Sequence, residues 1–154
     1  ELEQRGANVV GMNCFRGPAT MMPYLKEIRK VIKCHMAALP IPFRTTKEQP
    51  TFFNLDDNNN CTCPSPHGRT FPTALDPMYC NRYEIRQFAT EAHAIGINYL
   101  GVCCGAAPMH IREVAEAIGK EVPASRYHEK MSNHFMYGTN ERIPAHIKEY
   151  GDKA

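Results

Sequence analysis

The chain of 154 residues carries 18 basic and 16 acidic side chains, which gives a formal net charge of +2, and 43% of its residues are hydrophobic. This near balance argues against an electrostatic nucleic-acid binder, and the composition is typical of a globular domain rather than of a disordered chain. No apolar run reaches the length of about 18 residues that a membrane span needs.

The cysteine content and the first residues bear on the cellular compartment. Seven cysteines are an odd number, and residues 1–5 lack the pattern of a secretory signal, so a disulfide framework is disfavoured. We therefore expect a reducing compartment and a cytoplasmic protein. An apolar, strand-like run begins almost at once without a methionine before it, and we also expect the chain to be a fragment of a longer protein.

The first part of the chain predicts a strand, a helix and a second strand. Residues 7–12 form a short apolar run, typical of a strand that is buried on both faces. Apolar residues then recur at helical spacing over residues 19–33, and Pro23 is assigned to the first turn of that helix. A second apolar run, residues 34–39, ends at Pro40 and predicts another buried strand.

The middle of the chain predicts a long loop and then a helix. Residues 44–80 are rich in proline, asparagine and aspartate and have few periodic apolar positions. Asn81 is a candidate N-cap, and Gly96 would end the helix that follows. The apolar face of this helix comprises Ile85, Phe88, Ala89, Ala92 and Ile95.

A third strand and a third helix complete the predicted domain. Residues 97–102 predict the strand, and Pro108 opens a helix that Gly119 would stop. The predicted apolar face of this helix comprises Ile111, Val114, Ala115 and Ile118. The order β-α-β-loop-α-β-α predicts an α/β fold with parallel strands and right-handed crossover connections. Beyond residue 122 the composition becomes polar, which predicts a domain over residues 1–122 and an arm over residues 123–154.

Three cysteines follow predicted strands and carry the main functional signal. Cys14 comes after the first strand, and Cys103 and Cys104 come after the third, so all three would emerge at the carboxyl edge of a parallel sheet. Because neighbouring strand residues point to opposite faces, Cys103 and Cys104 converge only if the strand breaks, which Gly105 permits. Three thiolates suit zinc and would leave its fourth position open for a substrate.

Two other interpretations of this triad remain open at this point. Free cysteines are commonly buried as small hydrophobic side chains, and spacing alone does not decide between that role and metal binding. A redox role for the adjacent Cys103 and Cys104 is disfavoured because no Cys-x-x-Cys motif accompanies them.

The remaining cysteines and the histidines are weaker candidates. Cys61 and Cys63 with His67 could ligate a metal, but no second paired half is present, so an exposed loop is the favoured interpretation. Cys34 and Cys80 are predicted to be structural. Three histidines are predicted to be packed or solvated rather than ligands: His35, His93 and His110.

Two segments resemble the zinc-binding motifs of the homocysteine S-methyltransferase family. They are Gly-Met-Asn-Cys, ending at Cys14, and Gly-Val-Cys-Cys-Gly, ending at Gly105 and followed by Pro-Met-His-Ile-Arg. The likeness covers most of residues 6–123 and is greatest to the betaine-using branch. It implies a (β/α)8 TIM barrel of which this chain holds strands 6 to 8, with Zn²⁺ bound by Cys14, Cys103 and Cys104 and no further catalytic residue.

The resemblance also implies a reaction. The homocysteine thiol would accept a methyl group from betaine, giving methionine and dimethylglycine; the alternatives are another donor, such as S-methylmethionine, or a non-catalytic zinc-binding fragment. Betaine's quaternary ammonium group suits aromatic faces, for which Phe15, Tyr79 and Tyr137 are candidates, although packing is the commoner role of each. The backbone N–H groups of Asn13 and Gly105 are predicted to orient the thiolates.

The resemblance extends past residue 123. Ala124-Ser125 and residues 128–130 resemble the start of a C-terminal arm that serves in subunit association, which implies a homo-oligomer. The resemblance further implies that the first five barrel units, which hold much of the substrate pocket, are missing from this chain. Because three units would expose strand edges, we expect association or poor folding in isolation and leave the activity of the isolated chain open.

Overall fold

The computed structural model describes residues 1–56, 70–72, 74–127, 132, 134–136, 138–139, 141–151 and 153. The chain divides into two compact units, residues 1–122 and 123–154. Several residues considered above lie outside the described residues: Cys61, Cys63, His67, Tyr137 and residues 128–130.

A three-stranded parallel sheet forms the centre of the first unit. The strands β1 (Val9–Asn13), β2 (His35–Leu39) and β3 (Tyr99–Leu100) lie in the order β1-β2-β3, so β2 is central. Parallel strands separated by helices confirm the predicted α/β class and are compatible with part of a TIM barrel. The assignment of these strands to positions 6 to 8 of a barrel stays a prediction.

Three helices of the first unit occur where the periodicity predicts them. They are α1 (Pro18–Val31), α2 (Arg82–Ala94) and α3 (Pro108–Ala117). The placement of Pro23 in the first turn of α1 is wrong. Pro18 occupies the first position of the helix, where its fixed φ and missing N–H are tolerated, and Pro23 lies one turn further along.

A reciprocal capping box starts α2. The Asn81 side chain accepts a hydrogen bond from the Glu84 N–H (3.0 Å), and the Glu84 carboxylate accepts one from the Asn81 N–H (2.7 Å). The predicted N-cap is therefore confirmed, and it satisfies two backbone donors at the end of the helix. Arg44 holds the same carboxylate with two hydrogen bonds of 2.8 Å, which joins the loop after β2 to this helix.

The core of the first unit lies between the sheet and its helices. It comprises Met21, Met22, Leu25, Met36, Ala38, Cys80, Ile85, Phe88, Ala89, Ala92, Ile97 and Val114. The prediction that the first strand is buried on both faces is wrong, because β1 alternates between exposed and half-buried residues. Tyr99 in β3 is also 62% exposed. Alternation is typical of a sheet covered on one face, and no described element buries the other face.

The third strand is shorter than the predicted range 97–102. Regular pairing stops at Leu100, but two hydrogen bonds to the β2 side continue beyond it, from the Gly101 N–H to the Ala38 carbonyl (3.1 Å) and from the Cys103 N–H to the Pro40 carbonyl (2.7 Å). The chain therefore still follows β2 while it leaves the strand conformation.

The buried face of α3 differs from the predicted one. Ile111 is 48% exposed, whereas His110, Glu113 and Val114 are buried. Glu113 forms an ion pair with Arg86 of α2, with 2.5 Å between Nε and Oε1. A charged side chain is buried only when it is paired, so this ion pair explains a polar residue in the interface of the two helices.

Short helices occupy the long loop and the second unit. The loop after β2 contains 3-10 turns at Phe52–Asn54 and Asp76–Met78. In the second unit, a 3-10 helix at Pro123–Tyr127 and the helix α4 (Ala145–Gly151) are described. None of the helices in the described part of the chain is long and apolar enough to cross a bilayer.

Candidate metal centre

Three cysteine sulfur atoms converge at the carboxyl edge of the sheet. The Sγ atom of Cys104 lies 3.6 Å from that of Cys14 and 3.7 Å from that of Cys103. All three sulfur atoms lie within 4.8 Å of one another. The structure thus brings together the residues that the sequence predicts as ligands, and their role in metal binding stays a prediction.

The central strand positions both halves of this cluster. The Leu39 carbonyl at the end of β2 accepts from the Cys14 N–H (2.8 Å), and the next carbonyl, that of Pro40, accepts from the Cys103 N–H (2.7 Å). The carbonyls of the last residue of β2 and of the residue after it therefore hold the chain segments on either side of this strand. This arrangement sets the two segments at the same height along the sheet.

Cys14 sits in a tight turn with an uncommon backbone. Cys14 and Phe15 have φ values of 67° and 63°, in the left-handed region that costs a residue with a side chain about 1–2 kcal/mol. Hydrogen bonds from the Arg16 N–H to the Cys14 carbonyl (2.7 Å) and from the Phe52 N–H to the Phe15 carbonyl (3.0 Å) hold the turn. Backbone strain maintained in this way is typical of functional sites.

A second turn brings Cys103 and Cys104 together. The Ala106 N–H donates to the Cys103 carbonyl (3.1 Å), and Gly105 has a φ of 85°. A Cβ atom at Gly105 would lie 2.7 Å from Cζ of Phe43, so this position requires glycine for both conformation and space. The strand already ends at Leu100, and Gly105 supplies the backbone freedom for the turn that follows.

Cys14 and Cys103 differ in their tendency to ionise. Burial raises the pKa of Cys14, but hydrogen bonds from the Phe15 backbone, the Cys103 and Cys104 thiols and the Cys104 backbone outweigh it, so the pKa falls below the usual value. Burial and the nearby Cys14 raise the pKa of Cys103 to about 11. A cation at the centre would be needed to hold all three as thiolates.

Backbone N–H groups beside the cluster favour ionisation of the thiols. Hydrogen bonds from the Phe15 and Cys104 backbone act to lower the pKa of Cys14, and the Cys104 backbone acts to lower that of Cys103. The predicted orientation of the thiolates by the N–H groups of Asn13 and Gly105 stays a prediction. Backbone donors of this kind stabilise a thiolate and orient it toward a metal.

The cluster lies on an apolar floor and opens to solvent. Cys14 and Cys103 pack against a small core of Ile41, Phe43 and Leu55. Both cysteines are half-buried, and Cys104 is exposed. The interpretation of these cysteines as buried hydrophobic side chains does not describe Cys104.

The aromatic candidates occupy different positions around the centre. Phe15 follows Cys14 directly, is 53% exposed, and packs against Phe53 with 5.5 Å between ring centroids. Tyr79 donates from its hydroxyl group to the Gly105 carbonyl. Phe15 is therefore accessible beside the sulfur cluster, whereas Tyr79 contacts the backbone of the turn that carries Cys104.

The other cysteines and histidines of the described residues lie outside the cluster. Cys80 is buried, which raises the pKa of its thiol to about 12, and Cys34 is half-buried. His35 and His93 are exposed, and His110 is buried. These positions are compatible with the predicted packed or solvated roles of the three histidines, which stay predictions.

Two of the three distances between the sulfur atoms match those expected around a tetrahedral zinc ion. Zinc–sulfur bonds of about 2.3 Å at tetrahedral angles place two ligand sulfurs about 3.8 Å apart, close to the 3.6 Å and 3.7 Å found here. Three soft donors at this spacing suit zinc among the common biological metals. The residues present therefore fit the metal that the motifs predict.

Comparison with known proteins identifies the family. The model of the homocysteine S-methyltransferase family matches residues 1–118. The chain belongs to this family. Its matched part includes all three cysteines of the cluster and all three strands of the sheet.

Individual relatives carry two different names. The chain is 36% identical over 124 residues to betaine–homocysteine S-methyltransferase 1 of Danio rerio, a match that covers 78% of this chain and 28% of the relative. The enzyme of that name from Pongo abelii is 31% identical over 137 residues, with coverages of 82% and 30%. S-methylmethionine–homocysteine S-methyltransferase of Rattus norvegicus is 30% identical over 137 residues, with coverages of 82% and 34%. The chain spans about a third of the length of these curated relatives.

Proposed function

We propose that this chain carries the zinc-binding part of an enzyme that transfers a methyl group from betaine to homocysteine. The observation that carries the proposal is the convergence of the Cys14, Cys103 and Cys104 sulfur atoms at the carboxyl edge of a parallel sheet. In a member of the homocysteine S-methyltransferase family, such a cluster lies where α/β folds place their active sites. Methyl transfer is proposed for the protein or assembly that contains the whole substrate pocket.

The three cysteines would hold zinc and leave one position for the substrate. When bound, zinc would supply the positive charge that keeps the homocysteine sulfur deprotonated at neutral pH. Cys14 and Cys103 are fixed by the Leu39 and Pro40 carbonyls, so two of the three ligands require little reorganisation. Cys104 is exposed, which leaves its side of the cluster open to an incoming thiol.

The reaction joins a sulfur nucleophile to an activated methyl group. The electron pair on the homocysteine sulfur forms the new carbon–sulfur bond, and the carbon–nitrogen bond of betaine breaks with its electrons going to nitrogen. The products are methionine and dimethylglycine, and no oxidant or reductant is needed. The protein would hold the attacking sulfur, the methyl carbon and the departing nitrogen in line, because positioning supplies much of the rate enhancement in such displacements.

The accessible ring of Phe15 supports a cationic donor. A quaternary ammonium group has no hydrogen-bond donor and is stabilised by the faces of aromatic rings. Phe15 follows Cys14 and belongs to a cluster with Phe52 and Phe53. We propose that Phe15 contacts the methyl donor, whereas Tyr79 contacts the backbone carbonyl of Gly105.

S-methylmethionine is the second candidate donor, because a relative from Rattus norvegicus bears that name at 30% identity. Its sulfonium group is also a cation without hydrogen-bond donors, so an aromatic surface accepts both. The leaving group in this case is methionine. The identity to the betaine relatives, up to 36%, favours betaine.

The wider architecture is part of the proposal. We propose that β1, β2 and β3 are strands 6 to 8 of a (β/α)8 barrel and that residues 123–154 begin an arm that joins subunits. Exposure of one face of β1 and of Tyr99 supports a larger sheet. Sedimentation analysis of the protein with and without residues 123–154 tests this role of the arm. If the arm joins subunits, its removal should give a smaller assembly. We also propose a cytoplasmic location, in keeping with free thiols.

The first test is the zinc content of the purified chain. Elemental analysis should give about one zinc per chain for the wild type and none for the variant with Cys14→Ser, Cys103→Ser and Cys104→Ser. Cys34→Ser is the matched control and should retain the metal. Equal zinc in the wild type and the triple variant would refute the proposed centre.

The second test addresses the donor. Zinc-loaded protein that contains the whole substrate pocket is incubated with homocysteine and either betaine or S-methylmethionine, and methionine and dimethylglycine are quantified. Both products with betaine support the proposal, and methionine with S-methylmethionine alone supports the second candidate. Bound zinc without product from either donor would instead support a non-catalytic zinc-binding chain.

A further inference from the structure

Tyr79 connects the end of the long loop to the turn that carries two of the three sulfur atoms. Its hydroxyl group donates to the carbonyl of Gly105, the residue after Cys104. Its backbone forms an antiparallel bridge with Phe43. Tyr79 is thus fixed to the segment after β2 and reaches from there to the metal-binding turn.

The ring of Tyr79 is held between two other rings. The Phe43 ring lies 4.9 Å away between centroids, and the His110 imidazole lies 5.5 Å away, almost parallel at 12°. Phe43 also packs against Gly105, where any Cβ atom would collide with it. The hydroxyl group of Tyr79 therefore has a fixed direction, toward the Gly105 carbonyl.

His110 fixes the other end of the same turn. Its Nδ1 atom accepts from the Ala107 N–H (3.0 Å), the residue just before α3. The imidazole is 1% exposed, so its position is set by packing. Two hydrogen bonds, at Gly105 and at Ala107, thus hold the chain on the C-terminal side of Cys104.

We propose that Tyr79 is a positioning residue for the metal centre, which holds the Cys104 sulfur in place through the Gly105 carbonyl with His110 as its support. This inference rests on the proposed zinc-binding function. Glycine has the widest backbone freedom of any residue, so the turn at Gly105 depends on outside contacts for its shape. Loss of the Tyr79 contact would let Cys104 move away from Cys14.

This role differs from a contribution to folding. The hydrogen bond of Tyr79 lies in an exposed position, where water replaces a lost partner at little cost in the free energy of unfolding. A metal site is more sensitive, because residues that orient ligands change metal affinity by about 10- to 100-fold when they are removed. Tyr79→Phe keeps the stacked ring and removes only the hydroxyl group, so it separates the two roles.

The test measures zinc affinity in the full chain. Competition with a chromophoric chelator should give a zinc dissociation constant at least about tenfold higher for Tyr79→Phe than for the wild type. Tyr83→Phe is the matched control, because Tyr83 is an exposed tyrosine whose hydroxyl group accepts from Arg82, and it should bind zinc like the wild type. Urea unfolding of the metal-free chains should be the same for all three proteins.

Cobalt replaces zinc as a spectroscopic probe of ligand geometry. The sulfur-to-cobalt and ligand-field bands of the Tyr79→Phe protein should shift or broaden relative to the wild type, and those of Tyr83→Phe should not. His110→Asn keeps an acceptor for the Ala107 N–H, whereas His110→Ala removes it. The asparagine variant should therefore retain more of the zinc affinity than the alanine variant.

Three results would overturn the inference: an unchanged zinc dissociation constant in Tyr79→Phe, an equal loss in Tyr83→Phe, or a loss of affinity that is matched by a loss of stability in the metal-free chain. A wild type that binds no zinc would refute the proposed function itself. Zinc binding by the wild type with equal binding by Tyr79→Phe would refute the positioning role alone.

Discussion

The sulfur atoms of Cys14 and Cys104 lie 3.6 Å apart although 90 positions separate them in the chain. The strands that precede them do not pair with each other, since β2 lies between β1 and β3. The carboxyl end of β2 therefore forms the base of a centre to which it contributes no sulfur. The geometry of the cluster depends on the parallel direction of all three strands, which brings their ends to one edge.

Replacement of the exposed cysteine should remove metal binding without loss of the fold. Cys104→Ser exchanges a soft sulfur for a harder oxygen donor, so we expect zinc affinity to fall by at least about tenfold. The side chain is exposed, and we expect the free energy of unfolding of the metal-free chain to change by less than about 0.5 kcal/mol. Chelator competition and urea unfolding measure the two quantities. Wild-type affinity in this variant would exclude Cys104 as a ligand.

Substitution of Gly105 should damage the centre more than substitution of a comparable glycine. Gly105 and Gly119 both have positive φ values, 85° and 77°. A Cβ atom at Gly105 would lie 2.7 Å from Phe43, whereas a Cβ atom at Gly119 would have no other atom within 4 Å. Gly119→Ala should cost about 1 kcal/mol from backbone strain alone. Gly105→Ala should cost more and should also weaken zinc binding. Equal effects on stability and no effect on zinc would contradict the steric argument.

The helices and the ligand cluster are the parts that the sequence predicts well. The N-cap residue Asn81 and the apolar spacing of α2 are local signals, and the structure has both. The cysteines were predicted to converge from one rule, that parallel strands end at a common edge. The helix inference needs only neighbouring residues, and the cysteine inference needs only the order of elements along the chain.

Features that depend on contacts between distant residues were not predictable in this way. The buried face of α3 was assigned from apolar spacing, but Glu113 is buried there because Arg86 on α2 pairs with it. The contact of Tyr79 with Gly105 joins a loop without periodicity to a turn 26 residues later. No spacing rule connects these positions, although a tyrosine beside a buried cysteine within a proline-rich loop was a weak signal of a structured segment.

Removal of Arg86 should destabilise the packing of α2 on α3. Glu113 is buried and lies 2.5 Å from Arg86 Nε, while the arginine side chain remains 44% exposed. Because a buried carboxylate loses a facing cation, Arg86→Ala should lower the free energy of unfolding by about 1–3 kcal/mol. Lys30→Ala is the control, since Lys30 pairs with Glu27 on the surface, and it should cost less than about 0.5 kcal/mol. Urea unfolding at neutral pH measures both, and similar losses would contradict the role of burial.

The buried imidazole of His110 should make the stability of the metal-free chain fall as the pH falls. Burial lowers the pKa of His110, and the Cys80 backbone only partly opposes this shift. Above the ordinary histidine pKa of about 6.5 both the folded and the unfolded chains hold a neutral imidazole, so there is no effect. Below it the unfolded chain binds a proton that the folded chain resists, which favours unfolding.

The same linkage between proton binding and folding gives the expected size of this pH dependence and the variants that test it. The free energy of unfolding should fall by up to about 1.4 kcal/mol per pH unit below about pH 6.5, until His110 is protonated in the folded state as well. His110→Asn should show a flatter profile between pH 7.5 and 5, whereas the exposed His93→Gln should follow the wild type. Urea unfolding across that range measures the slope. A His110→Asn profile as steep as that of the wild type would mean that another group is responsible.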